Sequence, residues 1–351
     1  IHILFLTSSR LSGRSMISEN MDSLPSRLIP ASLEKEHSFI ELQNYIKKHS
    51  KFNETKDFLS GFSTSKYDLF KAAIEFLIKS NNSNEKTHFT YYGRTKFQVL
   101  ISSIKDKFKT RSRGKYIENH FKKNIPDEKF IFFPLQLEPE RTLLLDAPFF
   151  TNQLEIIRNV AKSLPIGYKL FVKEQAAMVT RSWRSIDWYK QLAKIPNVVL
   201  IHHSLSPDEL LKKCSLVITI TGSAGFDAAF YEKPSIVFGD VLYSKLSCVN
   251  KLKNMNELPR VIREQIKKKP DLSELNNFIN LLENNSFEFQ LNKFLSGVST
   301  HFYFKGNLVD VEISDKQMET FQKMNKEILS PVIDEHIKKI NQYIMEENNC
   351  K

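Results

Sequence analysis

The stretch of this chain best suited to binding an anion is a loop of small residues, TGSAG, at positions 221–225. An apolar run at 216–220 precedes it, and a short helical pattern at 226–232 and a second apolar run at 235–238 follow it. Glycine lets the backbone approach a ligand closely, and the first amides of a helix favour phosphate or carboxylate. The sequence therefore predicts a phosphate-binding loop inside a strand-loop-helix-strand unit. The predicted loop residues are Thr221, Gly222, Ser223, Ala224 and Gly225.

Side chains in this unit suit the same chemistry. The hydroxyls of Thr221 and Ser223 add donors, and Asp227 either accepts a hydrogen bond from a sugar or ribose hydroxyl or only favours the start of the helix. In a second interpretation the small residues bind nothing and let the helix pack closely against the sheet. TGSAG is neither a P-loop nor a complete G-x-G-x-x-G motif, so the loop alone does not decide between the two.

Two more polar clusters follow predicted strands. The apolar run 129–133 leads to Gln136, Glu138 and Glu140, and the run 168–172 leads to Lys173 and Glu174. Ligands of parallel sheets bind beyond the carboxyl ends of the strands, so we expect these clusters and the loop to share one edge. Lys173 would stabilise a phosphate, and the three carboxylates are candidates for a catalytic base. For each carboxylate the alternative is a helix cap or an ion pair.

The elements that position these clusters alternate between strand and helix. Helical patterns near 151–164, 187–195 and 206–214 separate the apolar runs, which is typical of a parallel sheet with right-handed crossovers. Residues 1–126 are mostly helical in pattern, with one or two strands. We therefore predict an α/β protein with a partly helical N-terminal domain (1–126), a Rossmann-like domain (127–285) and a C-terminal extension (286–351) whose last helix packs back.

The N-terminal segment contains weaker predictions. Ser8, Ser9 and Arg10 follow the first apolar run and are weak site candidates, although an ordinary solvated loop is the favoured interpretation. Because the chain begins with Ile rather than Met, we expect residues to precede Ile1. Two apolar stripes at helical spacing predict core faces. They are Leu69, Phe70, Ala73, Phe76 and Leu77, and Val99, Leu100, Ser103, Ile104 and Phe108.

Net charge indicates the class of partner, and cysteine content indicates the cellular compartment and whether a metal is bound. The 351 residues have a formal net charge of +11, which favours anionic partners, and the three cysteines have no metal-ligand spacing. We expect a reducing, cytoplasmic location, no metal and no membrane span. A basic stretch at 105–123 would steer an anionic acceptor, contact anionic lipid at the inner face of the cytoplasmic membrane, or be a solvated helix face. It lacks the interleaved aromatic residues of a nucleic-acid site.

A family resemblance appears in the segments FFPLQLEPE (132–140), LPIGYKLFVKE (164–174), IPNVVLI (195–201) and LVITITGSAGFDAAFYEKPSIVFG (216–239). In order and spacing they resemble the capsule polysaccharide biosynthesis and export proteins, whose best understood members resemble Kdo transferases. The resemblance covers about residues 129–284. It implies a two-domain GT-B glycosyltransferase, with the N-terminal domain on the acceptor side and the C-terminal domain holding a nucleotide-sugar donor.

The resemblance to GT-B glycosyltransferases also implies which substrates and partners this protein has. The donor would be a nucleotide-sugar, with a CMP-Kdo-like sugar as one candidate, and the acceptor a glycan or glycolipid. No cofactor is implied, because the nucleotide-sugar is a substrate. Contact with the polysaccharide export machinery is a further expectation.

The chain departs from the family pattern at two places. Family members usually read Lys-Glu-His-Pro where this chain has Gln175 and Ala176 after Lys173 and Glu174, and they commonly have Glu at the position of Asp227. Gln175 can still donate a hydrogen bond to phosphate, but it cannot carry a positive charge. The alternative is therefore a catalytically inactive member that binds a glycan or a partner in polysaccharide assembly or export. A third candidate is another GT-B-like enzyme, a glycerol-phosphate transferase or a sugar-nucleotide epimerase.

Overall fold

The computed structural model describes residues 4–11, 13–19, 24–25, 28, 36–48, 66–79, 95–138, 140, 142–175, 178, 184–302 and 313–349. The chain divides into two compact units. The sheet unit comprises Ile1–Phe5, Ser18–His49 and Lys109–Asn285, and the helical unit comprises Leu6–Ile17, Ser50–Phe108 and Ser286–Lys351. The predicted domain limits at residues 126 and 285 stay predictions.

The strands and helices of the described residues are these, in chain order. The strands are β1 (Phe5–Ser8), β2 (Arg14–Ser18), β3 (Phe130–Pro134), β4 (Lys169–Lys173), β5 (Val198–Ile201), β6 (Leu216–Thr219), β7 (Ser235–Val237), β8 (Val249–Lys251) and β9 (Phe287–Glu288). The α-helices are α1 (Phe39–Lys48), α2 (Lys66–Lys79), α3 (Lys96–His120), α4 (Gln153–Lys162), α5 (Ile186–Ala193), α6 (Pro207–Lys213), α7 (Ala224–Phe230), α8 (Leu258–Gln265), α9 (Leu272–Asn284), α10 (Leu291–Phe302), α11 (Asp315–Met324) and α12 (Lys326–Asn349).

The sheet unit is built on a six-stranded parallel sheet with strand order β5-β4-β3-β6-β7-β8. The chain places β3, β4 and β5 successively outward in one direction, and then returns to place β6, β7 and β8 outward in the other. The strand order therefore reverses between β3 and β6. In open α/β sheets this topological switch point opens a crevice beyond the carboxyl ends of the two strands.

The strands of this sheet are apolar on both faces because helices cover both sides. Phe130 to Pro134 are all buried, and so are the four residues of β6. Side-chain caps fix the starts of the surrounding helices: Asn152 caps α4, Ser185 caps α5 and Ser206 caps α6. Gly167, at φ +84°, turns the chain between α4 and β4. The predicted α/β class with a Rossmann-like sheet is confirmed.

The helical unit contains a small three-stranded sheet of order β1-β2-β9. Strands β2 and β9 are antiparallel, and the Arg14 guanidinium donates to the Ser286 carbonyl beside them at 2.6 Å. A capping box at Ser314 starts α11, and α12 packs against β9, which belongs to the same 286–351 segment. Packing of the terminal helix across the other predicted domains stays a prediction. Among the residues described, no helix is long and apolar enough to cross a membrane.

The predicted core faces of α2 and α3 are partly wrong. Phe76 and Val99 are buried as predicted, but Phe70, Ile104 and Phe108 are exposed. In α3 the buried face runs instead through Val99, Arg113 and Ile117, on the opposite side of the helix from Ile104. Apolar residues occupy two faces of α3, and periodicity alone does not show which face packs inward.

Candidate functional site

The switch point between β3 and β6 is occupied by the side chain of Gln136. The orientation of its amide that satisfies every neighbour places its oxygen 2.7 Å from the backbone nitrogens of both Thr221 and Gly222, which donate to it. Its nitrogen then donates to Thr221 Oγ1 at 3.0 Å. Gln153 fixes Gln136 in turn, accepting from its backbone nitrogen at 2.8 Å and donating to its carbonyl at 3.1 Å. Residues following β3 and β6 are therefore joined directly at the switch point.

One part of the predicted phosphate loop is therefore hydrogen-bonded to Gln136, and the other part is accessible to a ligand. Thr221 and Gly225 are buried, whereas Gly222, Ser223 and Ala224 are half-buried. The side-chain oxygen of Gln136 accepts hydrogen bonds from the backbone amides of Thr221 and Gly222. The backbone amides of Ser223 and Ala224 donate no hydrogen bond to any residue that the structure describes. These two amides, at the start of α7, are the part of the loop able to meet an anion.

The loop glycines have a packing role as well. A Cβ added to Gly225 would lie 2.7 Å from the hydroxyl of Tyr243 and 3.1 Å from Cγ2 of Thr219. A Cβ added to Gly222 would lie 2.6 Å from Thr219 Oγ1. At both positions an added Cβ would meet protein atoms rather than open space, which supports the close-packing interpretation of these glycines.

A buried guanidinium links the ends of β3 and β4. Arg184 donates through Nη1 to both oxygens of Glu174, at 2.6 and 2.8 Å, and through Nε to Glu138 at 3.2 Å. Its Nη2 donates to the Gln136 carbonyl, and its guanidinium lies 4.9 Å from the ring centroid of Trp188. Burial lowers the pKa of Arg184, but Glu174 and Glu138 outweigh burial and hold that pKa above its ordinary value. Arg184 is therefore a permanent cation.

The three candidate carboxylates differ in what they are free to do. Glu174 is fully buried and accepts from Arg184, from the Tyr189 hydroxyl and from the Gln175 amide at 2.8 Å. Glu138 is partly exposed. One of its oxygens accepts a hydrogen bond from the Gln153 side-chain amide, and the other accepts from Arg184. Glu140 is also partly exposed. A carboxylate with all its lone pairs engaged is a poor proton acceptor, so the geometry favours Glu138 or Glu140 over Glu174 as a base.

Lys173 is a second buried cation at this edge. Its Nζ lies 3.5 Å from the Glu174 carbonyl, and burial lowers its pKa to about 8, although Glu174 raises it. His202 and His203 follow β5, and their ring centroids lie 4.0 Å apart with the ring planes tilted by 40°. Burial, His202 and Lys173 together lower the pKa of His203 to about 4. The neighbouring ends of β4 and β5 thus combine an ammonium whose pKa is about 8 with a neutral imidazole.

Several of these groups were missed by the sequence analysis. Arg113, buried in α3, donates to the Arg184 carbonyl at 3.3 Å, and burial lowers its pKa. Gln153 lies within the helical pattern near 151–164, and that pattern gives no sign of its contacts with Gln136. Arg184 follows a stretch without periodicity, and no local pattern marks an arginine that bridges two strand ends. Adjacent histidines directly after the strand at 198–201 were the one available signal.

The remaining candidates lie at different places. Ser9 is fully buried and its hydroxyl donates to the Arg14 carbonyl at 2.9 Å, while Ser8 accepts from the Arg10 amide at 3.2 Å. These residues form the turn between β1 and β2 in the helical unit and not an end of the six-stranded sheet. In the sheet unit, Asp227 is half-buried on α7 and Gln175 is exposed. Ala176 lies outside the described residues.

Comparison with known proteins identifies the family to which this sequence is similar. A family model described as "Capsule polysaccharide biosynthesis protein" matches residues 37–266. No curated protein matches this chain.

Among solved structures, a β-Kdo 2,7 transferase, KpsC of Thermosulfurimonas dismutans, is 15% identical over 71% of this chain and 67% of its own, with a TM-score of 0.33. A putative UDP-N-acetylglucosamine 2-epimerase from Listeria monocytogenes is 16% identical over 56% of this chain and 54% of its own, with a TM-score of 0.29. The spinosyn rhamnosyltransferase SpnG, complexed with spinosyn aglycone, is 15% identical over 46% of this chain and 42% of its own, with a TM-score of 0.30. At TM-scores this low the similarity carries no residue-by-residue correspondence.

Proposed function

We propose a sugar-transfer function from one premise, that this chain belongs to the capsule polysaccharide biosynthesis protein family. The protein would transfer a sugar from a nucleotide-sugar donor to a glycan or glycolipid acceptor, as a glycosyltransferase with a GT-B arrangement. The donor would bind at the carboxyl edge of the six-stranded sheet. A CMP-activated, Kdo-like sugar is the first donor to test.

One observation carries this proposal. The half-buried amides of Ser223 and Ala224 lie at the topological switch point of the sheet, where Gln136 joins the residues that follow β3 and β6. Switch points are where open α/β sheets bind nucleotides, and helix-start amides are suited to phosphate. The Arg184 network holds the ends of β3 and β4 rigid beside them, which keeps the edge in one geometry before any ligand arrives.

Each group has a role in this proposal. The amides of Ser223 and Ala224 and the ammonium of Lys173 would stabilise the phosphate of the leaving nucleotide, and Gln175 and the Ser223 hydroxyl would add donors to it. Glu138, held by Arg184, would accept the proton of the acceptor hydroxyl, with Glu140 as the second candidate. Glu174 would position Lys173 and Arg184 rather than take a proton.

The test is a thermal shift with free nucleotides and nucleotide-sugars. A ligand present at about 100 times its dissociation constant stabilises the folded state by about 2.7 kcal/mol, which for a chain of this size raises Tm by roughly 2–4 °C or more. We expect a CMP-, UDP- or GDP-sugar to do so. Lys173→Met should remove most of the shift. Lys169→Met is the matched control, because Lys169 lies at the other end of β4 and donates to Asn197 at 3.1 Å.

The pH dependence of the same shift tests the cation itself. Since the pKa of Lys173 is lowered to about 8, its charge is lost as the pH rises through 8. Nucleotide affinity should therefore fall by about tenfold per pH unit above that point. Lys173→Arg should keep its affinity at higher pH, because a guanidinium stays protonated.

The opposite results have a defined meaning. If no nucleotide at millimolar concentration moves Tm, the donor site does not function and the glycan-binding or partner-binding alternative replaces sugar transfer. If Lys169→Met weakens binding as much as Lys173→Met, the affinity reflects net charge and not the edge of the sheet.

A further inference from the structure

The outer face of α3 carries a line of large apolar side chains in solvent. Phe97, Ile101, Ile104 and Phe108 follow one another at intervals of four, three and four residues, so they lie along one side of the helix. They are 69%, 39%, 57% and 71% exposed. We call these four residues the α3 apolar stripe. Contiguous exposed apolar surface on a protein marks a place where something binds.

Cations surround this stripe. Arg111 and Lys115 continue the same side of the helix at the same spacing, and Lys105 and Lys107 flank the stripe on its two sides. All four are exposed. The acidic residue of this segment, Asp106, lies on the opposite, half-buried side of the helix. The exposed side of α3 from 97 to 115 therefore combines aromatic and aliphatic groups with positive charge alone.

The neighbouring helix adds to the same kind of surface. In α2, Tyr67, Phe70 and Ile78 are exposed although Phe76 is buried. The Lys96 ammonium at the start of α3 donates to the carbonyl of Leu77 near the end of α2, at 3.3 Å, so these two helix ends lie together within the helical unit. The apolar surface is thus not limited to one helix.

We propose that the α3 apolar stripe, with Lys105, Lys107, Arg111 and Lys115, docks this protein on the surface of an anionic lipid bilayer. A helix with aromatic and aliphatic residues on one side and Lys or Arg beside them lies in the plane of the interface, with its apolar groups at the acyl boundary. Its cations are attracted to anionic headgroups, and their long stems let the charges reach them.

Charge decides against a second copy of this chain as the occupant. If the exposed sides of two α3 helices, residues 97–115, packed face to face, Lys105 and Lys107 would lie near the middle of each side, so the lysines of both copies would meet in a parallel or an antiparallel pair. Like charges at such an interface cost affinity. An anionic bilayer instead meets both the apolar groups and the cations favourably.

The first experiment compares vesicle flotation of the full chain on two lipid compositions. Wild type should bind phosphatidylglycerol-containing vesicles, bind pure phosphatidylcholine vesicles at least about tenfold more weakly, and lose the difference as salt is raised. The double variant Ile104→Ser, Phe108→Ser should bind anionic vesicles at least about tenfold more weakly than wild type. The matched control is Ile333→Ser, Ile344→Ser on α12, where both isoleucines are half exposed. That control should bind as wild type does.

A second pair of variants separates the α3 cations from the net charge of +11. Lys105→Gln, Lys107→Gln should weaken binding to anionic vesicles by about tenfold, because each cation near the surface contributes to binding. Lys267→Gln, Lys269→Gln removes the same two charges from exposed positions after α8 and should have little effect.

Several results would overturn the proposal. It fails if wild type does not bind anionic vesicles at low salt, or if either control loses as much binding as its α3 counterpart. It also fails if wild type forms a dimer in sedimentation that Ile104→Ser, Phe108→Ser dissociates, since the stripe would then be an interface between copies. Nucleotide binding is measured separately, so failure here leaves the proposed sugar transfer untouched.

Discussion

The carboxyl edge of the six-stranded sheet and the helix α3 use their side chains in opposite ways. At the edge, polar groups such as Glu174 and Arg184 are buried and fully engaged with one another, and apolar groups such as Phe133 are fully buried beneath them. On α3, Arg113 is buried while Phe97 and Phe108 face solvent. Neither pattern fits a simple rule that apolar residues lie inside and polar residues outside, and each needs its own explanation.

The difference shows what each arrangement is built to do. Buried polar groups are stable only when every partner is present, so the sheet edge is rigid and intolerant of change. Exposed aromatic groups contribute little to folding, so the stripe on α3 tolerates substitution and is open to a partner. Substitutions that are equal in chemistry should therefore differ sharply in their effect on stability between the two regions.

The largest expected contrast is between two phenylalanines. Phe133 in β3 is fully buried, and Phe133→Ala should lower the free energy of unfolding by about 3–5 kcal/mol through lost burial and the cavity left behind. Phe108→Ala on α3 should change it by less than about 0.5 kcal/mol. Urea unfolding followed by circular dichroism measures both. Equal losses would mean that the α3 stripe packs against protein and is unavailable for docking.

The next contrast is between two arginines. Arg184→Met should lower the free energy of unfolding by about 3 kcal/mol, because Glu174 and Glu138 would keep their negative charges without the buried cation that pairs with them. Arg260→Met should cost less than about 0.5 kcal/mol, because its ion pair with Glu264, at 2.9 Å, is solvent-exposed. The same unfolding measurement applies.

A small loss for Arg184→Met would mean that its partners rearrange, and the edge would not be preorganised. The double variant Arg184→Met, Glu174→Gln tests whether the loss of stability comes from the unpaired carboxylate of Glu174. If the Arg184 pair is the source of the loss, the double variant should be more stable than Arg184→Met alone, since it removes the orphaned charge.

The sequence was sufficient for the parts of the fold that depend on local pattern. The helical patterns near 187–195 and 206–214 and the apolar run at 216–220 correspond to α5, α6 and β6, whose limits differ from the prediction by at most two residues. Strand-helix alternation was enough to predict a parallel sheet. The edge that collects Gln136, Glu138 and Lys173 followed from that topology.

What the sequence could not supply depends on contacts distant in the chain. Arg184 meets Gln136 from 48 residues away, and Gln136 meets Thr221 from 85 residues away, so neither pairing leaves a local trace. For α3, the spacing of Ile104 and Phe108 correctly places them on one side of a helix. Which side packs inward is decided by the complementary surface, and a helix with two apolar sides leaves that open.

The smallest contrast concerns two glycines, and it tests why the loop at 221–225 is made of small residues. A Cβ at Gly225 would lie 2.7 Å from the Tyr243 hydroxyl and 3.0 Å from its ring, so Gly225→Ala should lower the free energy of unfolding by about 1–2 kcal/mol. Gly114→Ala is the control. Gly114 lies within α3 with nothing within 4 Å of an added Cβ, so alanine there should stabilise by about 0.5–1 kcal/mol through helix propensity. If Gly225→Ala is as well tolerated as Gly114→Ala, yet nucleotide no longer raises Tm, Gly225 is there for the ligand and not for packing against Tyr243.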